Sequence, residues 1–217
     1  MCIAVDSFGD RDTRECMKTI FIDFGNVIGF FDHFRAIRQL TAFTDLSAVE
    51  LERTLYAGKI EDDYEAGKIT TAEYVRSAKE LGRLRCSDDQ FLAAYTDIFW
   101  RNEEVCELIP LLKPHFRLVL ASNTNEAHYT TYMHQYADVM QHFDALCPSH
   151  HAGVRKPHQP YYEYCQQFAD AEPRDCLFLD DLTRNIAAAE LHGWKGLHYQ
   201  TDDGILAKLR ALGVQLG

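Results

Sequence analysis

From residue 116 onward the chain alternates between short apolar runs of strand length and longer stretches with helical periodicity, an order that few folds accommodate. Phe116 to Ala121 reads as a strand and Asn125 to Tyr136 as a helix. Phe143 to Cys147 is a weaker strand, and Pro160 suits the first turn of a helix running through Phe168. Cys176-Leu177-Phe178-Leu179 reads as a buried strand, followed by a helix from Thr183 to Leu191 that Gly193 would close. Gly196 to Tyr199 gives a last strand, and Ile205 to Leu212 a helix ending at Gly213. Strands alternating with helices imply parallel βαβ units and an α/β, doubly wound parallel sheet.

The first strand of that sheet lies far upstream, at Ile20-Phe21-Ile22, and nearly a hundred residues separate it from the next convincing one. The interval is helical in pattern. Thr70-x-x-Glu73 and Ser87-x-x-Gln90 are capping-box signatures, Ser47 precedes apolar positions at helical spacing, and Gly82 follows Lys79-Glu80-Leu81 as a stop. Little in residues 33–105 alternates with period two, so a helical bundle is expected there, inserted into a core made of residues 17–32 and 106–217. The expected hinges fall near residues 31–36 and 100–107. Residues 1–16, with Asp6, Asp10, Asp12 and Glu15, lack the basic start and apolar middle of a signal peptide and read as a loosely ordered N-terminal extension.

Bulk properties exclude some functions. A formal charge of −11 argues against a general nucleic-acid or anionic-membrane binder, which needs a basic face. No apolar stretch is long enough to span a bilayer as a helix. The seven cysteines (Cys2, Cys16, Cys86, Cys106, Cys147, Cys165 and Cys176) form no C-x-x-C pair, which suits free thiols in the cytoplasm rather than zinc ligation.

Asp23 ends the first strand, at the edge where open α/β sheets bind ligands, and the loop Phe24-Gly25-Asn26-Val27 follows it. Ser122-Asn123 and Asp180-Asp181 end two later strands, and Lys156-Pro157 lies in a loop between them. An aspartate can attack phosphorus and split a hard hydrolysis into two easier steps, while phosphoryl transfer otherwise needs positioning and charge neutralisation. Magnesium takes hard oxygen ligands, which Asp23, the Gly25 carbonyl and Asp180-Asp181 can supply. Taken singly, each segment has a plainer reading: Ser-Asn as a helix cap, Asp-Asp as a helix start, Lys156 as a solvated side chain. Tyr95, Phe99 and Trp100 fall near helical spacing and read as core, and His150-His151 as a solvated loop pair.

The four segments in this order resemble the haloacid dehalogenase-like hydrolase superfamily, and Tyr64-Glu65-Ala66-Gly67-Lys68-Ile69-Thr70 is similar to a recurring segment of its helical cap. The resemblance implies that Asp23 is a nucleophile, Ser122 a phosphate hydrogen-bonder and Lys156 a charge-neutralising lysine. It also implies a magnesium site of Asp23, Gly25 and Asp181 with Asp180 beside it, and contacts to substrate from Asn26 and Asn123. One departure stands out: phosphatases of the family usually carry an acid two places after the nucleophile, where this chain has Gly25. The Asp-x-Gly-Asn form resembles a branch related to sugar-phosphate phosphatases and to the N-terminal domain of soluble epoxide hydrolases. A magnesium-dependent phosphatase acting on a small phosphorylated metabolite, a sugar phosphate among the candidates, is therefore expected. The alternatives are a 2-haloacid dehalogenase and a silent phosphometabolite-binding protein. Lacking that acid, such an enzyme should favour leaving groups that are already weak bases, such as anomeric phosphates.

Overall fold

A computed structural model of the chain describes residues 17–201, 204–212 and 214. The N-terminal extension expected over residues 1–16 and the helix stop expected at Gly213 lie outside the described residues. The chain opens with strand β1 (Thr19–Ile22), then β2 (Gly29–Phe31) and helices α1 (His33–Leu40), α2 (Ala48–Tyr56), α3 (Lys59–Glu65), α4 (Thr71–Leu81) and α5 (Asp88–Thr96). After β3 (Phe99–Arg101) come α6 (Glu103–Leu112), β4 (Arg117–Ser122), α7 (Glu126–Gln135), α8 (Ala137–Met140), β5 (Ala145–Pro148) and α9 (Ser149–Ala152). The rest is α10 (Gln159–Gln166), β6 (Cys176–Asp180), α11 (Thr183–His192), β7 (Lys195–His198) and α12 (Ile205–Ala211).

Five strands form one sheet in the order β5-β4-β1-β6-β7, and every pairing in it is parallel. The three central strands β4, β1 and β6 are buried on both faces, as their near-continuous apolar runs require. Ile20, Ile22, Leu118, Leu120, Leu177 and Leu179 enter one buried cluster, while Phe21, Val119, Ala121 and Phe178 enter another on the opposite face. In the second cluster the Phe21 and Trp194 rings stack with centroids 3.9 Å apart. Because all five strands run the same way, the ends of β1, β4 and β6 fall on one edge. This is the doubly wound α/β sheet read from the sequence.

The helical insertion has its own core, where Ile37, Leu55, Tyr74, Phe91 and Tyr95 are fully buried. Both expected capping boxes are formed: Thr70 Oγ1 accepts from Glu73 N while Glu73 accepts from Thr70 N, and Ser87 and Gln90 do the same. The attachment of the insertion differs from expectation. Instead of two separate loop hinges, β2 and β3 pair antiparallel, Gly29 opposite Arg101 and Phe31 opposite Phe99. Phe99 and Trp100 therefore lie on a strand, not at helical spacing; Phe99 is buried and Trp100 is exposed. Three-residue strands are too short to show a period, and their partners are some seventy residues apart in sequence. Val105 and Cys106 already belong to the sheet's own cluster. Among the described residues no helix is long and apolar enough to cross a membrane.

Candidate active site

The sheet brings together the residues singled out in the sequence. Asp23 follows β1, Ser122 is the last residue of β4, and Asp180 the last of β6. Asp23 N donates to Leu179 O at 2.9 Å, which ties the β1 exit to its neighbour on one side. Lys156 reaches the same point from the loop after α9. Its Nζ lies 2.8 Å from Asp23 Oδ1 and 2.8 Å from Asp180 Oδ2, and it donates to Ala121 O at 2.8 Å. All three charged groups are buried. Two facing carboxylates in such a place repel unless a cation sits between them, and Lys156 is that cation in the fold itself. Asp180 and Asp23 hold the Lys156 ammonium well above the ordinary lysine value against the opposing effect of burial. Burial pushes the Asp23 carboxyl up to about 8, with Lys156 pulling it down and Asp180 and Asp181 pushing it further up.

Asp180 and Asp181 differ in surroundings. Asp180 accepts from Leu182 N at 2.8 Å and from Asn185 Nδ2 at 3.0 and 3.1 Å, in addition to Lys156, so its carboxylate is fully engaged. Asp181 is half-buried, and among the described residues its carboxylate accepts from Asn26 Nδ2 alone, at 3.2 Å. The carboxylates of Asp23, Asp180 and Asp181 each offer an oxygen within 4.8 Å of the others. Asp23 Oδ1 is taken by Lys156 and by Phe24 N, which donates at 2.8 Å. Among the described residues Asp23 Oδ2, Asp181 Oδ1 and the Gly25 carbonyl have no hydrogen-bond donor. That set of three unpartnered hard oxygens fits magnesium.

The plainer readings of Ser122-Asn123 and Lys156 find no support. Asn125, not Ser122 or Asn123, caps α7 by accepting from His128 N, and Leu182 stands at the cap position of α11. The two asparagines expected to touch substrate are occupied within the fold. Asn26, in the left-handed region at φ 54°, turns its amide to Asp181. Asn123 makes a two-way bridge to the Lys156 backbone: Nδ2 donates to Lys156 O at 3.0 Å and Oδ1 accepts from Lys156 N at 2.8 Å. It thereby sets where the lysine loop runs. Ser122 Oγ is buried and makes a long bond, 3.4 Å, to Asn123 O.

Beside these groups lies a cavity of about 80 Å³ between sheet edge and insertion, walled by Phe24, Phe31, Ile98, Phe99 and Tyr132 and reaching Gly25 and Ser122. Phe31 packs closely over Gly25: a Cβ there would sit 3.0 Å from Phe31 Cε1, so a side chain would need the ring to shift. Phe31, on the unexpected ribbon, thus covers the place of the missing acid.

Sequence reasoning missed the contacts that fasten the insertion over this cavity. Ser149 Oγ donates to Glu65 O at 2.6 Å and also accepts from Thr124 N at 2.9 Å, so one hydroxyl joins insertion and core. Arg155 Nε lies 2.6 Å from Glu65 Oε2, and the same guanidinium pairs with Asp62. Glu61, buried at 6% exposure, accepts from Tyr95 OH at 3.0 Å and from Asn125 Nδ2 at 3.2 Å. Burial pushes its carboxyl up to about 8. His150 is part of α9 rather than a solvated loop, and its Nδ1 meets Thr124 O at 3.1 Å.

The chain is similar to known proteins. A sesquiterpene phosphatase of Aspergillus oryzae is 33% identical over 70 residues, 32% of this chain and 36% of that protein. A drimenol cyclase of Aspergillus calidoustus is 23% identical over 211 residues, 89% of this chain and 36% of that protein. The chain thus spans about a third of the length of the curated relatives it matches, 36% in each case. Among solved structures, a haloacid dehalogenase family enzyme of Bacteroides thetaiotaomicron in complex with magnesium and inorganic phosphate superposes with a TM-score of 0.75. It is 22% identical, over 88% of this chain and 98% of that one, a likeness of fold. The family model of the haloacid dehalogenase-like hydrolases matches residues 17–193, strand β1 through the end of α11. The chain belongs to the haloacid dehalogenase-like hydrolase family.

Proposed function

We propose that the chain is a magnesium-dependent phosphatase that works through a phosphorylated Asp23. The observation that carries this reading is the buried Lys156 ammonium, 2.8 Å from both Asp23 and Asp180, which neutralises the nucleophile's surroundings and leaves one Asp23 oxygen without a donor. An Asp23 oxygen forms the bond to phosphorus as the ester bond breaks, and water then displaces phosphate from the aspartyl group. Ser122 and Lys156 hold the transferred oxygens. Asp23, Asp181 and the Gly25 carbonyl would hold magnesium, which supplies positive charge against the phosphoryl oxygens when bound. Asp180 stays on Lys156, Leu182 and Asn185 and fixes the loop that carries Asp181.

The paired carboxylates favour this over dehalogenation of a 2-haloacid, in which no phosphoryl charge has to be neutralised. The name of the Aspergillus oryzae relative, a phosphatase, supports the same choice. For the substrate's organic part, the cavity suits an apolar group better than the sugar considered from the sequence. Phe24, Phe31, Ile98, Phe99 and Tyr132 form one apolar wall, and the polar atoms of Asn123 and His128 are already bonded within the protein. A panel of prenyl, aryl, alkyl and sugar phosphates, assayed for phosphate release with and without magnesium, tests the reading. Magnesium-dependent release that disappears in Asp23→Asn is expected; halide release from 2-haloacids unaffected by chelator, with none from any ester, would overturn it.

A further inference from the structure

Position 25 offers no proton to the leaving oxygen, yet an alkoxide leaving group needs one. We propose that Glu65, on the inserted helical cap, gives that proton and later takes one from the attacking water. This rests on the phosphatase reading above and adds a catalytic residue to it.

Three observations converge on Glu65. It lines the same small cavity as Gly25, Ser122 and Asn123, so its carboxyl shares the space in which the ester oxygen must lie. Its main chain is fixed to the phosphate-binding edge: Ser149 Oγ, bonded to Glu65 O, also bonds Thr124, two residues after Ser122. Its side chain faces Arg155 as well: Oε2 is buried 2.6 Å from Arg155 Nε, next in sequence to Lys156, as an ion pair without hydrogen-bond geometry. Oε1 is outside that ion pair, accepts from no donor among the described residues and is the oxygen available to substrate.

The proton balance is favourable. Arg155 serves two carboxylates, Asp62 and Glu65, so one positive charge faces two acids. Glu65 is the better shielded, its side chain 17% exposed against 65% for Asp62, and burial disfavours the charged form of a carboxyl. Burial accordingly raises the Glu65 carboxyl above its ordinary value despite Arg155. His33 shares the cavity, but burial lowers it to about 4, so near neutrality its imidazole carries no acidic proton.

In the first step an Asp23 oxygen bonds to phosphorus, the phosphorus–oxygen ester bond breaks, and its electron pair on the leaving oxygen takes the proton from Glu65. In the second, the Glu65 carboxylate removes a proton from water as its oxygen bonds to phosphorus. The bond to Asp23 breaks and inorganic phosphate leaves. Both steps require the cap to be seated, which couples closure to chemistry.

The test is Glu65→Gln in the full chain with magnesium, comparing an n-alkyl phosphate with p-nitrophenyl phosphate in single turnover. Cleavage of the alkyl ester should slow by about 10²–10⁴-fold and release of nitrophenol by less than about tenfold. With p-nitrophenyl phosphate in excess, Glu65→Gln should also show a nitrophenol burst and a phosphorylated chain by intact mass, because the water step is slowed. The burst amplitude reports the folded fraction. Glu65→Asp, which keeps a carboxyl one methylene short, should recover part of the alkyl rate. Equal slowing of both esters, or of neither, overturns the role of Glu65 while leaving the phosphatase reading standing. A wild-type chain that cleaves neither ester nor any other of the panel overturns that reading, and this proposal with it.

Discussion

Replacing Gly67 with Ala should unseat the cap at one atom's cost. Gly67 follows α3 at φ +63°, and a Cβ there would fall well inside contact with the His150 carbonyl oxygen and 3.0 Å from its carbon. Both obstacles are backbone, so no side chain can swing aside. The left-handed conformation costs an alanine about 1–2 kcal/mol. Relief of the overlap means moving the 64–68 loop off α9, which breaks the 2.6 Å bond from Ser149 Oγ to Glu65 O. That bond is worth about 1 kcal/mol. Together these give about 2–3 kcal/mol, which for a chain of this size lowers the melting temperature by about 5–10 °C. Glu65 moves with the loop, and a displacement of about 1 Å at a reacting group costs about 10²-fold in rate. Thermal melts and kcat/KM on an alkyl phosphate check both numbers. A Gly67→Ala chain that melts within about 1 °C of wild type and turns over within about twofold of it would refute the close approach of cap and core.

Three further outcomes follow from the site. Asp23→Asn should lose at least about 10³-fold in phosphate release with its melting temperature nearly unchanged; equal slow release by both proteins would remove Asp23 as nucleophile. Asp180→Asn should lower the melting temperature, because it strips charge from the buried Lys156, whereas Asp181→Asn should chiefly weaken magnesium binding measured by calorimetry. The reverse assignment in those two measurements would contradict the ligand set. Glu61 keeps its proton in the folded chain up to about 8 but releases it near 4.5 when unfolded, so folding takes up a proton between those values. Its stabilising contribution is complete below the unfolded value and is lost as pH rises through the folded one. Melts at about pH 5 and about pH 8 should therefore show Glu61→Gln gaining on wild type as pH rises, and parallel curves would rule this out.

What could be read from the sequence was whatever a few adjacent residues determine. Each strand of the sheet is a short apolar run ended by a polar residue, and that pattern alone put Asp23, Ser122 and Asp180 on one edge. The capping boxes at Thr70 and Ser87 are equally local. The ribbon of β2 and β3 escaped because its pairing joins residues near 30 to residues near 100. The roles of Asn26 and Asn123 escaped for a related reason. An amide at a strand exit can serve a ligand or the fold, and only the observed partners, Asp181 and the Lys156 backbone, distinguish these. Glu61 and Glu65 could have drawn notice as acids near the end of an amphipathic helix, but nothing local marks them as buried.

The pairing of Gly29–Phe31 with Phe99–Arg101 also bears on how such a chain can be taken apart. Entry to and exit from the cap run side by side, about 5 Å apart as paired strands do. Residues 32–98 therefore enter and leave through one two-stranded ribbon. Joining Phe31 to Phe99 through a two-residue Asn-Gly turn would close the ribbon into an ordinary hairpin and leave every strand of the sheet in place. A foreign helical bundle whose two ends lie equally close could be spliced in at the same points, exchanging the walls of the cavity while keeping Asp23, Lys156 and the carboxylates beneath it.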